Sequence, residues 1–381
     1  MHPKSLLLAL SLALVTSSFS EVSFAAEVST ALENITLEGP WEKIIKDRNK
    51  ETEYDGVMRL SQAQGGRLVS IKISVRGTTS IDPKECSFPK LKIKVANKTD
   101  ADIFDGSNSI KIGTHCGDEK SASEAGRIRN GGAGTRGEHL AYQILTALNV
   151  PHQSTQWAQI TYVDPTSTKF QPRTRPAFFL ETEKAMSKRM GAEVIDYTQD
   201  PHDREGLQFD NITSDKVNGK SAALVYLSEM LLGNNDFGLP LSDEVLDPDE
   251  MMFGIKNVVI LNSGNQRIAA PQDFDLAATI TGDFPPLCME EDCSKMAETE
   301  QEHIQAFVRS RFSYVSTYLT EVEPQFKADF QAALSEFSAN LHRVTTLIDQ
   351  AATKGDLPEA QARRFKLFTS EVAKLIKTPL K

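Results

Sequence analysis

Two hydrophobic periodicities, in a fixed order along the chain, limit what this sequence can fold into. Period-two runs come first: Leu68-Val69-Ser70-Ile71-Lys72-Ile73-Ser74-Val75, Leu91-Lys92-Ile93-Lys94-Val95 and Ile110-Lys111-Ile112. Alternation of this kind, with turn residues between the runs, predicts an antiparallel sheet with one buried face. From Glu298 onward the pattern changes to helical spacing, and breaks near Pro324 and Pro358 divide it into three long helices. Between these regions the sequence predicts a helix from Arg136 to Asn149 with an apolar stripe of Leu140, Ala141, Ile144, Leu145 and Leu148. On that helix Glu138 lies at the flank and His139 points to solvent. Two more strands are expected at Trp157–Val163 and Ala177–Leu180, then a buried helix from Ala222 to Leu232 stopped by Gly233, and a strand at Val258–Leu261. A chain that is β-rich first and helix-rich last belongs to the α+β class, and 381 residues suffice for about two domains or one two-part unit.

The first 25 residues have a different character. Lys4 precedes an apolar run from Leu6 to Val15, and Ser23-Phe24-Ala25 forms a small-residue site, the grammar of a signal peptide. The run is too short to span a bilayer and no later stretch is longer, so the expected product is an exported chain, periplasmic or secreted, with no transmembrane segment. In an oxidising compartment the four cysteines are expected to pair, Cys86 with Cys116 and Cys288 with Cys293. A formal net charge of -10 argues against a protein that coats nucleic acid, which needs a basic face to neutralise phosphates, but leaves room for a local basic cleft.

Several common motifs do not hold up. Gly132-Ala133-Gly134-Thr135-Arg136-Gly137 is a literal GxGxxG, yet no apolar strand directly precedes it and no acidic residue stands at the ribose position, as a dinucleotide fold requires. It reads instead as a flexible loop leading into a helix. Gly219-Lys220-Ser221 lacks the first glycine of a phosphate-binding loop, and there is neither HExxH nor GxSxG. One constellation is stronger. Gly233-Asn234-Asn235-Asp236 follows the buried helix, Asn257 enters the expected hairpin and Asp273-Phe274-Asp275 leaves it. A five-residue turn at 262–266 would set residue 261 opposite 267 and residue 257 opposite 271, bringing Asn257 and Asp273 to one end. Asp, Asn and Asp converging on one point form the oxygen-rich set that Mg²⁺ and a nucleotide triphosphate need.

A resemblance adds to this reading. Arg76-Gly77, Cys86-Ser87-Phe88-Pro89-Lys90-Leu91, Ile110-Lys111-Ile112-Gly113-Thr114-His115-Cys116, Glu138-His139-Leu140-Ala141-Tyr142, Ile160-Thr161-Tyr162-Val163-Asp164, Phe178-Phe179-Leu180-Glu181, Gly233-Asn234-Asn235-Asp236 and Asp273-Phe274-Asp275 occur in an order that resembles exported bacterial proteins related to the spore coat kinase CotH family. That family is an atypical branch of the protein-kinase-like fold. The resemblance spans roughly residues 60–285 and implies a bilobal molecule, with a β-rich N-terminal lobe over 26–181 and a mainly helical C-terminal lobe over 182–381.

It also implies roles. Asp236 resembles the catalytic aspartate that orients the acceptor hydroxyl, Asn257 the metal-binding asparagine, and Asp273 the metal-binding aspartate of a DFG-type motif, with Asp275 a second candidate ligand. Glu138 resembles the acidic partner of a phosphate-binding lysine, for which Lys111 is the first choice and Lys92 the rival, and Glu181 would lie in the hinge. Taken alone, Lys111 reads as a strand lysine facing water and Glu138 as a first-turn acid favoured by the helix dipole. The implied activity is transfer of phosphate from ATP, with Mg²⁺ or Mn²⁺, to a protein or small-molecule hydroxyl. The alternative is an inactive envelope binding or structural protein that keeps the fold. Two departures stand out: the insertion Leu241–Lys256 separates Asp236 from Asn257, and Phe237-Gly238 follows Asp236 where a basic residue is expected.

Overall fold

A computed structural model describes residues 33–77, 79–84, 86–113, 133–195, 218–239, 255–264, 266–282, 299–317 and 326–377. The expected signal peptide, Cys116, Cys288, Cys293 and the stretch 240–254 lie outside these residues, and so do both cysteine pairings. Among the described residues there is no free cysteine, and no helix is long and apolar enough to cross a membrane.

The α+β character is as expected, but the first sheet is closed. Strands β1 (Asn34–Glu38), β2 (Tyr54–Arg59), β3 (Leu68–Arg76), β4 (Lys90–Val95), β5 (Ser109–Ile112), β6 (Thr155–Val163) and β7 (Arg173–Leu180) form a barrel in the order β1-β2-β3-β4-β5-β7-β6. The seam is parallel: β1 pairs along β6 from Asn34↔Gln159 to Glu38↔Val163. The alternation read from the sequence becomes an inside–outside division, with Val69, Ile71, Ile73 and Val75 of β3 and Leu91, Ile93 and Val95 of β4 inside. An antiparallel sheet with one buried face was the expectation; its closure through a parallel pair was not foreseen. Closure depends on β1, a five-residue strand with too few alternations to announce itself. Helix α1 (Trp41–Asp47) packs against this core, with Trp41 edge-on to Tyr162 at 4.8 Å and its indole N–H donating to Leu37 O at 2.9 Å.

The second core is helical. It gathers α2 (Ala133–Ala147), α4 (Gly219–Leu232), α5 (Ala278–Thr281), α6 (Glu300–Thr317), α7 (Lys327–Thr353) and α8 (Glu359–Ile376), together with Phe178 and Leu180 of β7. Although α2 lies between β5 and β6 in sequence, its apolar stripe packs into this helical core. A short helix α3 (Glu183–Arg189) leads to a small sheet in the order β10-β9-β8, formed by β8 (Glu193–Ile195), β9 (Val258–Ser263) and β10 (Gln266–Pro271).

Three local expectations need correction. Helix α2 starts at Ala133, so part of the glycine-rich segment is helical. A side chain at Gly137 would meet Gln361 at 2.8 Å, so this glycine serves close packing rather than loop flexibility. His139 is buried, not solvated: it stacks on Trp157 at 5.4 Å and Phe178 at 5.7 Å, and burial pushes its pKa down to about 4. The hairpin turn is shorter than expected. Ser263 pairs with Gln266 and Leu261 with Ile268, because Gly264 at φ 62° allows a two-residue turn and shifts the register by one.

Gly233 ends α4 as expected, in the left-handed region at φ 65°. A Cβ there would lie 2.6 Å from the Phe368 ring. Gly233→Ala is therefore expected to destabilise the fold by about 2 kcal/mol through backbone strain and overpacking, measured by chemical denaturation. A loss below a few tenths of a kcal/mol would contradict this cap geometry.

Candidate active site

The site lies where the outer surface of the barrel meets the loops that flank β9, β10 and α4. Strand alternation puts Lys90, Lys92 and Lys94 on the outer face of β4. Lys92 and Lys94 are exposed, whereas Lys90, at the start of the strand, is 5% exposed. Its ammonium donates to Asp273 Oδ1 at 2.5 Å and lies 3.0 Å from Asp275 Oδ2. Because both carboxylates reach one ammonium, they are near neighbours of each other. Phe274, between them, is buried edge-on against Tyr142 of α2 at 5.1 Å, and the Asp273 backbone N–H donates to the Tyr142 hydroxyl at 3.2 Å. The Asp273-Phe274-Asp275 tripeptide is thus anchored to α2 through its middle residue.

Glu138 stands on the same helix, one turn before Tyr142, with 2% exposure and a carboxylate oxygen that has no hydrogen-bond partner. It falls in the second turn of α2, so the helix dipole does not account for it. Burial raises its pKa to about 8 from an ordinary 4.5; Lys90 pulls it back, while Asp275 and Asp273 add to the rise. Burial also opposes ionisation of Asp273, but Lys90 outweighs it and holds that group below the ordinary value. Asp275, crowded by burial and by the charge of Asp273, is raised. The cluster therefore favours the charged form of Asp273 and disfavours that of its other two acids.

A pH dependence follows from Glu138. A carboxyl with a raised native pKa binds more protons folded than unfolded between the two values, so stability falls as pH rises through that window. Glu138→Gln, a neutral isostere, removes this slope. Its melting temperature relative to wild type is expected to climb between about pH 5 and pH 9. A constant difference across that range would show that Glu138 is not held neutral.

The Asp236 loop adjoins this cluster, near enough for its charge to push Asp275 upward. The Asn257 amide donates to Asp236 Oδ2 at 3.0 Å and to Asp236 O at 2.6 Å, and Lys256 forms an ion pair with Asp236 Oδ1. Gly238 and Lys256 form an isolated antiparallel bridge that ties together the two ends of the insertion. In space the basic residue beside Asp236 is Lys256, next to Asn257 in sequence. Gln272 N donates to Asn257 O at 2.9 Å, so the hairpin does bring Asn257 and the Asp273 segment to one end. Asn257 and Asp273 both adopt left-handed backbone, at φ 52° and 63°. Asn and Asp tolerate that region better than other side-chain-bearing residues.

The lysine assignment needs revision. Lys111, the first choice, forms its ion pair with Glu183 at the start of α3 rather than with Glu138. It still feels the charge of Asp273, but burial lowers its pKa. The rival Lys92 faces solvent. Lys90 is the lysine enclosed by Asp273, Asp275 and Glu138, and Arg76 adds positive charge there while its guanidinium donates to Leu91 O and Ile112 O. Glu181 follows β7 directly, where a hinge residue was expected. Its carboxylate is occupied by Arg189 at 2.8 Å and by Ser154 N at 2.9 Å, and its carbonyl accepts from Gln153. It acts as a clamp between the barrel and α3. A cavity of about 790 Å³ opens beside it, bordered by Ser74, Lys92, Phe104, Ile110, Glu181 and Glu183. Through the Glu183–Lys111 pair this cavity borders the charge cluster.

Among the described residues, no group of three or more His, Cys, Asp or Glu is arranged as a metal cage. Mg²⁺, however, is commonly held by one or two carboxylates plus the phosphates of a substrate. Asp273 and Asp275, with Asn257 close by, fit that partial donor set.

No protein-family model matches the chain, and no curated protein matches it. Among solved structures it is similar to the crystal structure of a Helicobacter pylori proinflammatory kinase, CtkA, at 11% identity and a TM-score of 0.35, over 75% of this chain and 90% of that one.

Proposed function

We propose that this chain is an exported, kinase-like phosphotransferase of the CotH type, with its site between the barrel and the helical core. One observation carries the reading: Lys90 is buried between Asp273 and Asp275, beside Glu138, next to the loop on which Lys256 and Asn257 hold Asp236. That is the set phosphoryl transfer requires, a cation for the phosphates, acidic oxygens for Mg²⁺ and a carboxylate to orient the attacking hydroxyl.

Lys90, aided by Arg76, neutralises phosphate oxygens. Asp273, Asp275 and Asn257 would hold Mg²⁺ or Mn²⁺, which when bound offsets the charge of the nucleotide. Asp236 orients the acceptor hydroxyl and takes its proton as the oxygen–phosphorus bond forms and the bond from phosphorus to the bridging oxygen breaks. Lys256 and Asn257 keep the Asp236 carboxylate in one orientation. The 790 Å³ cavity is of a size to take the nucleoside part of ATP. The test is Mg²⁺- or Mn²⁺-dependent ATP binding and phosphate transfer by the purified chain.

A second reading, a kinase-like binding protein without catalysis, is favoured by the same lysine. Lys90 Nζ already engages both acids, and a metal has to compete with it. Absence of metal-dependent nucleotide binding would decide for this reading.

A further inference from the structure

The last turns of α4 hold a carboxyl group that its surroundings leave unexplained. The helix is apolar on nearly every side, yet Glu229 sits in it with no exposed surface, and neither of its carboxylate oxygens has a hydrogen-bond partner. Burial holds the group well above the ordinary carboxyl value; the Asn234 amide opposes this and the charge of Asp236 adds to it. A buried polar group left without a partner costs about 1–3 kcal/mol. A fold that keeps one calls for a specific reason.

Asn234 supplies the link. It is 1% exposed, and its Nδ2 is also buried without a partner. That amide stands beside the Glu229 carboxyl, close enough to bias its protonation, although neither group completes a full hydrogen bond. Its other end is engaged, since Asn234 Oδ1 accepts from the Asp236 backbone N–H at 3.0 Å. The main chain tightens the same link: Asn234 N donates to Glu229 O at 2.8 Å, and Ala278 N donates to Gly233 O at 3.0 Å. An amide side chain has two orientations of nearly equal shape, and its surroundings choose between them. An acceptor at Glu229 keeps the NH₂ end of Asn234 inward, which leaves the carbonyl end for Asp236.

We propose that Glu229 is a positioning residue: through Asn234 it fixes the backbone of Asp236 and so the direction of that carboxylate at the site. The inference rests on the reading of Asp236 as the residue that orients the acceptor.

Glu229→Leu removes the acceptor at similar volume, whereas Glu229→Gln keeps a carbonyl oxygen in its place. Native-state hydrogen exchange at the Asp236 amide reads the link without any assay of transfer. It is expected to speed up about tenfold in Glu229→Leu while the amides of α4 stay protected, and to stay within about twofold in Glu229→Gln. In a transfer assay the leucine variant is expected to lose about tenfold in kcat with KM for ATP unchanged, and the glutamine variant to recover it. The melting temperature of the leucine variant should be equal or higher, because an unpaired buried acid has been replaced by an apolar side chain. Unchanged exchange at Asp236, a loss of protection shared by all of α4, or equal effects of leucine and glutamine would each overturn the proposal. If the leucine variant does not fold, Glu229→Met removes the same acceptor at similar volume and is read in the same way. A wild-type chain that transfers no phosphate defeats the phosphotransferase reading, and exchange at Asp236 still decides this one.

Discussion

Asp273→Ala is expected to lower phosphate transfer by about 10²–10³-fold and to abolish the dependence of ATP binding on Mg²⁺ or Mn²⁺. Asp273 is the acid that Lys90 keeps ionised, and it stands on a strained left-handed backbone fixed by Phe274 and Tyr142. No neighbour replaces it: Asp275 and Glu138 are both driven toward the protonated form. Asp236→Ala should act differently, lowering kcat by a similar factor while metal-dependent ATP binding persists, since Asp236 faces Lys256 and Asn257 rather than the Lys90 cluster. The two variants thus separate nucleotide and metal binding from orientation of the acceptor. Transfer that survives both substitutions would show that the site lies elsewhere.

Lys90→Met should be the most destabilising change at the site, at about 1–3 kcal/mol, because it leaves two half-buried carboxyl groups side by side with no cation between them. Lys111→Met is the control. Its loss strips the cation from one carboxyl rather than two, and Glu183 keeps a side chain that is 33% exposed, so a loss of about 1 kcal/mol is expected. The difference between the lysines should narrow in acid. The native pKa of Asp273 is depressed, so the stability it draws from Lys90 is present above the ordinary 3.8 and fades as pH falls through the lower native value. Urea denaturation at about pH 7 and about pH 2 measures both effects. Equal losses for the two lysines at neutral pH would place Lys111 in the role assigned here to Lys90.

The helices and strands were legible wherever the periodicity was long. The three C-terminal helices, the all-apolar α4 with its Gly233 stop and the alternating β3 and β4 need only a pattern of side chains along one segment. What escaped depends on contacts between segments. β1 is too short to show alternation, and its pairing with β6 decides whether the sheet is open or closed. The alternation puts Lys90, Lys92 and Lys94 on one face but does not say which of them the Asp273 loop covers. Lys90 did carry a signal, because of the three it alone stands inside the Cys86–Leu91 run on which the family resemblance rests. His139 was misplaced because an apolar stripe marks the face of a helix toward one neighbour, and α2 has neighbours on two sides, the helical core and β6–β7; Glu138 was misplaced because Lys90 and Asp273, its neighbours, come from segments far away in sequence. Lys256 was hidden by distance in sequence, since it reaches Asp236 only after the insertion returns to its bridge at Gly238.

The parallel seam of the barrel also has a kinetic consequence. Each antiparallel pair from β2 to β5 joins strands that follow one another along the chain and can zip up early. Asn34, by contrast, must wait for Gln159. The ordering cost of that junction is met before its contacts reward it, so closure comes late and sets the pace of folding. Until then β1 and β6 each present a bare edge on which another chain can template, and mistakes made by this protein should begin at that seam rather than at the loops that carry Asp236 and Asp273.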